Sequence, residues 1–276
     1  MSISSMLVPV SLEPRDQKLL EYVCGLHVQS VEQVIVATAV EETGVEAPVI
    51  AAEVDRAREK LAALATPLRD HCKMDFELRV VTGEPAESIL ALAQQADVDV
   101  LCLGTEGKSM AHYLFSGSIS EDLFSSGTIR TMAVRYDLLE ACEDPAELSR
   151  DFGKRLVIAT DFSDAARRAF DSAFHRPIDA IGELHILNVD DAGNRGEAQT
   201  KLDHLAEVAR GRGVNAFTEF RSGDPAQVAL EYLREINATG VIIGQRGQGG
   251  VLKQFVFGWV PVRLLREAPC PVVVQP

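Results

Sequence analysis

The chain lacks any run of about 18 consecutive apolar residues, so no helix is expected to span a membrane. It also lacks a basic segment followed by an apolar core near residue 1, so no signal peptide is expected. Positive charge is in short supply: 27 Lys and Arg stand against 41 Asp and Glu, a formal net charge of −14. That deficit argues against a nucleic-acid backbone or an anionic membrane surface as partner. No CxxC pair occurs, and the five cysteines (Cys24, Cys72, Cys102, Cys142 and Cys270) are odd in number. The pattern reads as free thiols in a reducing, cytoplasmic compartment, with Cys102 and Cys270 as core residues of apolar strands.

Several chemical signatures are missing as well. A P-loop needs a glycine five residues before Gly107, and Cys102 stands there. The GxGxxG dinucleotide fingerprint and the GxSxG nucleophile elbow do not occur at a strand end. His27, His71, His112, His175, His185 and His204 form no pair at metal-ligand spacing, so no metal site is expected, and no catalytic residue is assigned. The pair Asp97 and Asp99 precedes an apolar strand and reads as turn chemistry rather than as catalytic carboxylates.

What is present is a unit written twice. Met6–Ser11 and Arg155–Asp161 are short apolar runs ending in a small polar residue, as buried parallel strands do. Helices are expected over Pro14–Gln29 and Ser163–Phe174, and second strands over Gln33–Ala39 and Glu183–Val189. Second helices follow over Pro48–Asp70 and Arg195–Arg212, and third strands over Phe76–Val81 and Asn215–Phe220. Matching turns come next, Gly83-Glu84-Pro85-Ala86 and Gly223-Asp224-Pro225-Ala226, where proline suits a helix start. Ala86, Ile89, Leu90 and Ala93 then fall on one helical face, as do Ala226, Ala229, Leu230 and Leu233. From Gly83 to Gly104 and from Gly223 to Gly244 the spacing is the same, 21 residues. Each copy closes on a last strand, Thr131–Tyr136 and Pro271–Gln275. The alternation of strands and helices implies parallel sheets with helices on both faces and ligands beyond the carboxyl ends of the strands. The division is residues 1–136, an acidic linker over 137–152 with room for a short helix, and residues 153–276. At this size each half can bury roughly 68–70% of its unfolded surface, so disulfides are not required.

The fourth strand of the first copy, Val100–Leu103, runs into Gly104-x2-Gly107-x9-Gly117-Ser118. Glycines there let backbone N–H groups approach an anion, most often a phosphate. Gly117 and Ser118 would open a helix over Ile119–Phe124, whose first N–H groups are unpaired donors. Ser118 could contact a ligand or simply cap that helix.

These segments, with Ala159-Thr160-Asp161-Phe162-Ser163, Glu183–Val189 and Ala268-Pro269-Cys270-Pro271-Val272-Val273-Val274, resemble a tandem universal stress protein over nearly the whole chain. The resemblance implies an α/β fold of two repeated five-stranded parallel-sheet sandwiches, Rossmann-like and of the adenine nucleotide alpha hydrolase type, paired through their last strands. It implies an adenine nucleotide (ATP, ADP or AMP, with Mg2+ left open) held by Val10, Ser11, Ala39, Val40, Leu103, Gly104, Gly107, Lys108, Gly117, Ser118 and Ile119. A second, weaker site would use Asp161, Val189, Gly244, Gly247 and Gly258.

Both copies depart from the family pattern. Ser11 stands where the family carries Asp, and Met110 where many members have glycine. In the second copy ten residues rather than nine precede Gly258, Trp259 replaces the hydroxyl residue, and Pro261 removes a donor. The function implied is a cytoplasmic stress-response regulator that acts by binding a nucleotide and meeting a protein partner of unknown identity. The alternatives are a nucleotide-independent scaffold with vestigial pockets and a very slow ATPase. The chain would pair within itself, with a further homodimer open.

Overall fold

A computed structural model describes residues 4–42, 47–69, 72–106, 123, 127–174, 180–190, 195–245 and 259–276. The first half runs β1 (Ser5–Pro9), α1 (Asp16–Gly25), a 3-10 turn (Leu26–Gln29), β2 (Gln33–Val40), α2 (Ala47–Arg69), β3 (Asp75–Thr82), α3 (Pro85–Gln95), β4 (Val100–Thr105) and β5 (Thr131–Arg135). Two short helices follow, α4 (Tyr136–Ala141) and α5 (Pro145–Arg150). The second half repeats the order with β6 (Arg155–Ala159), α6 (Asp164–Ala173), β7 (Glu183–Val189), α7 (Arg195–Gly211), β8 (Asn215–Arg221), α8 (Pro225–Glu235), β9 (Gly240–Gly244), α9 (Trp259–Glu267) and β10 (Val272–Gln275).

The ten strands among the described residues form one sheet in the order β3-β2-β1-β4-β5-β10-β9-β6-β7-β8. Every neighbouring pair is parallel except β5–β10, which is antiparallel with Val272 opposite Ala133. Side chains alternate between two apolar layers, as the strand period requires. On one face Met6, Val8 and Cys102 pack with Leu19, Leu20 and Val23 of α1, Leu61 of α2, and the Ala169 and Leu202 faces of α6 and α7. On the other, Leu7, Leu101 and Leu103 pack with Ile89 of α3, Leu230 of α8 and Leu264 of α9. Across the seam Arg130 Nε donates to Gln275 Oε1 at 2.7 Å, and Arg135 Nη1 donates to the Arg266 carbonyl at 3.1 Å.

The duplication extends to backbone detail. Gly83 and Gly223 sit at φ +120° and +131°, a region closed to other residues, and each precedes a capped helix. Glu84 accepts from Glu87 N, and Asp224 from Gln227 N, both at 2.7 Å, with Pro85 and Pro225 in the first turn. Leu12 and Phe162 share an unusual left-handed φ of 64° and 62°, and Asp97 and Asn237 share 49° and 50°. Asp99 confirms the turn reading of its segment, since its Oδ2 accepts from Ser4 N at 2.8 Å and Ser5 N at 3.0 Å.

Three expectations need correction. Cys24 and Cys72 are joined as a disulfide, with Cα atoms 5.2 Å apart, so only Cys102, Cys142 and Cys270 are free. The pair is separated by 48 residues, and it meets because α1 packs against α2, an approach that residue spacing does not reveal. The first strands end at Pro9 and Ala159, two residues earlier than read, because the chain turns through the left-handed Leu12 and Phe162. The segment between the copies carries two short helices rather than one, and α5 packs on α1.

Candidate functional site

Within each half the strand order changes direction beside the first strand, between β1 and β4 and between β6 and β9. A crevice opens at the carboxyl ends of such strands. The pairing of Leu7 with Leu101 brings the end of β1 level with Gly104, so Val10, Ser11, Leu103 and Gly104 gather at one edge. Ala39 and Val40 end β2 one strand away; the Val40 carbonyl accepts from Gly83 N at 3.0 Å. Asp161, Val189 and Gly244 gather likewise in the second half. Gly107, Lys108, Gly117, Ser118 and Ile119, and with them Gly247 and Gly258, lie outside the described residues, as does the helix expected over Ile119–Phe124 apart from Leu123.

The first-copy edge holds a side-chain network that sequence reasoning missed. Asp16, at the start of α1, has no exposed surface. Its Oδ2 accepts from Ser11 N at 2.9 Å, Glu13 N at 3.0 Å and Ser11 Oγ at 3.3 Å. Its Oδ1 accepts from the Tyr136 hydroxyl at 2.6 Å. A buried carboxylate with several donors is how a protein stabilises a charge it has removed from water. Ser11 carries no charge of its own, yet a carboxylate reaches its backbone, supplied from α1. Burial, reinforced by Asp16, pushes the Tyr136 hydroxyl far above the ordinary tyrosine range, so it stays a proton donor.

The Tyr136 ring lies against Gly104. A Cβ there would stand 2.3 Å from its Cζ and 2.4 Å from its hydroxyl oxygen. Gly104 therefore has a packing reason of its own. Above the ring sits the Arg15 guanidinium, 4.9 Å from the centroid. Arg15 also pairs with Glu13 at 2.8 Å, and its Nη1 pairs with Glu106, the residue following β4. These contacts tie the loop after β1 to the exit of β4.

The second copy solves the same position differently. A Cβ on Gly244 would come within 2.7 Å of the Ala165 backbone and 2.8 Å of Ala166 N, so α6 itself fills the place that Tyr136 takes in the first half. Counting from Ser11 and Asp161, Arg15 and Asp16 correspond to Ala165 and Ala166. Small residues let α6 touch β9; larger ones leave room that Tyr136 occupies. Asp161 Oδ1 accepts from Ser163 N at 3.0 Å, and Ser163 Oγ caps α6 on Ala166 N at 3.2 Å. Asn188 Nδ2 donates to the Thr160 carbonyl at 2.8 Å. Among the described residues no group of three His, Cys, Asp or Glu side chains is arranged to hold a metal ion, and no helix is long and apolar enough to cross a membrane.

Fold and site together define a duplicated, doubly wound α/β protein whose strand-order switches lie beside its first and sixth strands. Comparison with known proteins narrows the class. The profile of the universal stress protein family matches residues 3–135 and again 153–276, so the chain belongs to that family as a tandem of two units. It is 27% identical over 144 residues to the universal stress protein YxiE of Bacillus subtilis, covering 44% of this chain and 97% of that one. It is 26% identical over 160 residues to a universal stress protein of Methanocaldococcus jannaschii, covering 52% and 92%. The crystal structure of a universal stress protein from Archaeoglobus fulgidus superimposes with a TM-score of 0.82 at 24% identity, over 99% of this chain and 96% of its own, a likeness of fold.

Proposed function

We propose that the first copy binds an adenine nucleotide at the carboxyl ends of β1 and β4, and that the protein acts as a cytoplasmic stress-response regulator by binding rather than by catalysis. One observation carries the reading: β4 brings Gly104, its penultimate residue, to the strand-order switch, and the sequence runs on from there into the Gly107-x9-Gly117-Ser118 pattern. Family membership and the shared left-handed turn after the first strand support it. A divalent cation, if used, would arrive with the phosphates. The units would be residues 1–136 and 153–276, with a protein partner reading the occupied state.

Calorimetry with ATP, ADP, AMP and adenosine tests the proposal, with Gly117→Ala as the diagnostic variant. Binding by the native protein that weakens in the variant is expected. Absence of heat at saturating ligand would refute it. A scaffold role without nucleotide is the second reading, favoured by the first-copy carboxylate being fully engaged with the chain's own donors. Partner capture that ignores added ATP would select it.

A further inference from the structure

Arg15 bridges the two loops between which the proposed ligand would lie, and the structure shows how firmly each of its partners is held. One face of the guanidinium lies on the Tyr136 ring, and the ring is anchored by its 2.6 Å bond to the fully buried Asp16. The cation is thus preorganised, with its in-plane N–H groups left for anions. The Glu106 side chain that it meets is 44% exposed and follows the last residue of β4. A carboxylate on an exposed, rotatable stem is readily released, since such ion pairs contribute little and are screened by salt.

Arg15 with Glu13 and Glu106 carries a net charge of −1, which repels a phosphate. Release of Glu106 brings that sum to zero and frees the Nη1 side of the guanidinium for a phosphate oxygen, while Nε stays with Glu13. The second copy has the uncharged Ala165 at this position.

We propose that Arg15 is a phosphate-binding side chain of the first copy and that Glu106 is its built-in competitor, displaced when a nucleotide's phosphate arrives. The inference rests on the nucleotide reading above and adds to it the recognition of the phosphate end by a side chain, together with an internal carboxylate that sets its affinity.

The test is calorimetry with ATP, AMP, adenosine and inorganic pyrophosphate on the full chain, comparing the native protein with Glu106→Gln, Arg15→Gln, Arg15→Lys and the Glu106→Gln/Arg15→Gln double variant, at low and high salt. Glu106→Gln should tighten ATP about two- to fivefold, the range spanned by an exposed ion pair. Its adenosine affinity should be unchanged. Arg15→Gln should weaken ATP about fivefold, with Arg15→Lys intermediate because it keeps the charge and loses the fork. In the double variant the gain from Glu106→Gln should vanish. ATP binding by the native protein that none of these changes alters would overturn the inference and leave the nucleotide reading standing. An equal effect of Glu106→Gln on adenosine would also overturn it, since the carboxylate would then act on the pocket as a whole. Failure of every form to bind any of the four ligands would remove the nucleotide reading and this inference together. Glu106→Gln alters one exposed atom group, so it keeps the question answerable even if Arg15→Gln folds poorly.

Discussion

The contact between Gly104 and Tyr136 can be tested to destruction by a double-mutant cycle. In Gly104→Ala the new methyl would stand 2.3 Å from Tyr136 Cζ, where ordinary carbon contacts are about 3.5–4.0 Å. The ring must therefore move by more than an ångström, which breaks the 2.6 Å bond from its hydroxyl to Asp16. Overpacking costs about 1–3 kcal/mol, and loss of a hydrogen bond to a buried carboxylate about 1–3 kcal/mol, so a combined loss of about 2–4 kcal/mol is expected after partial relaxation. For a chain of this length that is a fall of roughly 3–7 °C in the melting midpoint. Tyr136→Ala removes the obstacle and is itself destabilising through the cavity and the loss of the donor to Asp16 Oδ1. In the Tyr136→Ala background, however, Gly104→Ala should cost less than about 0.5 kcal/mol, because the methyl then enters empty space. Urea or thermal unfolding of the four forms yields the coupling energy directly. If Gly104→Ala costs the same with and without the tyrosine, the ring does not explain the glycine.

Two further outcomes follow from buried groups. Alkylation of the native protein at neutral pH should label Cys142, because burial pushes the Cys102 and Cys270 thiols up to about 12. Denaturation without reductant should give three labels and denaturation with reductant five, and a count of five without reductant would contradict the Cys24–Cys72 bond. His185 offers a pH test. Burial lowers its pKa, with Glu183 working in the opposite direction, and its Nδ1 lies 2.7 Å from the Tyr232 hydroxyl. The unfolded chain therefore takes up that proton first as pH falls. The contribution is present above the unfolded value of about 6.5 and is lost on descending through it towards the lower folded value. Unfolding midpoints of the native protein should drop between about pH 7 and pH 5.5 more steeply than those of His185→Gln; parallel curves would exclude His185 as the source.

Much of the fold can be read from the chain because buried parallel strands are apolar runs and because caps and turns use distinctive residues. Glu183–Val189 is a strand with the boundaries its pattern implies, and the helices after Gly83 and Gly223 start at their prolines. The site is less legible. Asp16 looks like an ordinary acid at a helix start, and nothing in its neighbours in sequence says that it is fully buried. Tyr136 reads as the last residue of a strand, but it opens α4 and turns its ring onto Gly104. Arg15 and Glu106 are 91 residues apart, and Cys24 and Cys72 are 48 apart. Such pairings depend on how far a helix stands off its sheet, which is set by the sum of many packing contacts. Comparison of the two copies is the one sequence signal that bears on it: Ala165-Ala166 against Arg15-Asp16 marks where the halves were bound to differ.

The antiparallel seam between β5 and β10 has a geometric corollary. Because every other neighbouring pair runs parallel, all five strands of one half point opposite to all five of the other. The two crevices therefore open towards opposite poles of the molecule. A single small ligand cannot bridge them, and a macromolecule sensing both would have to embrace the protein rather than dock on one side. Two unlike strand-end edges facing away from each other are free to diverge without either obstructing its twin.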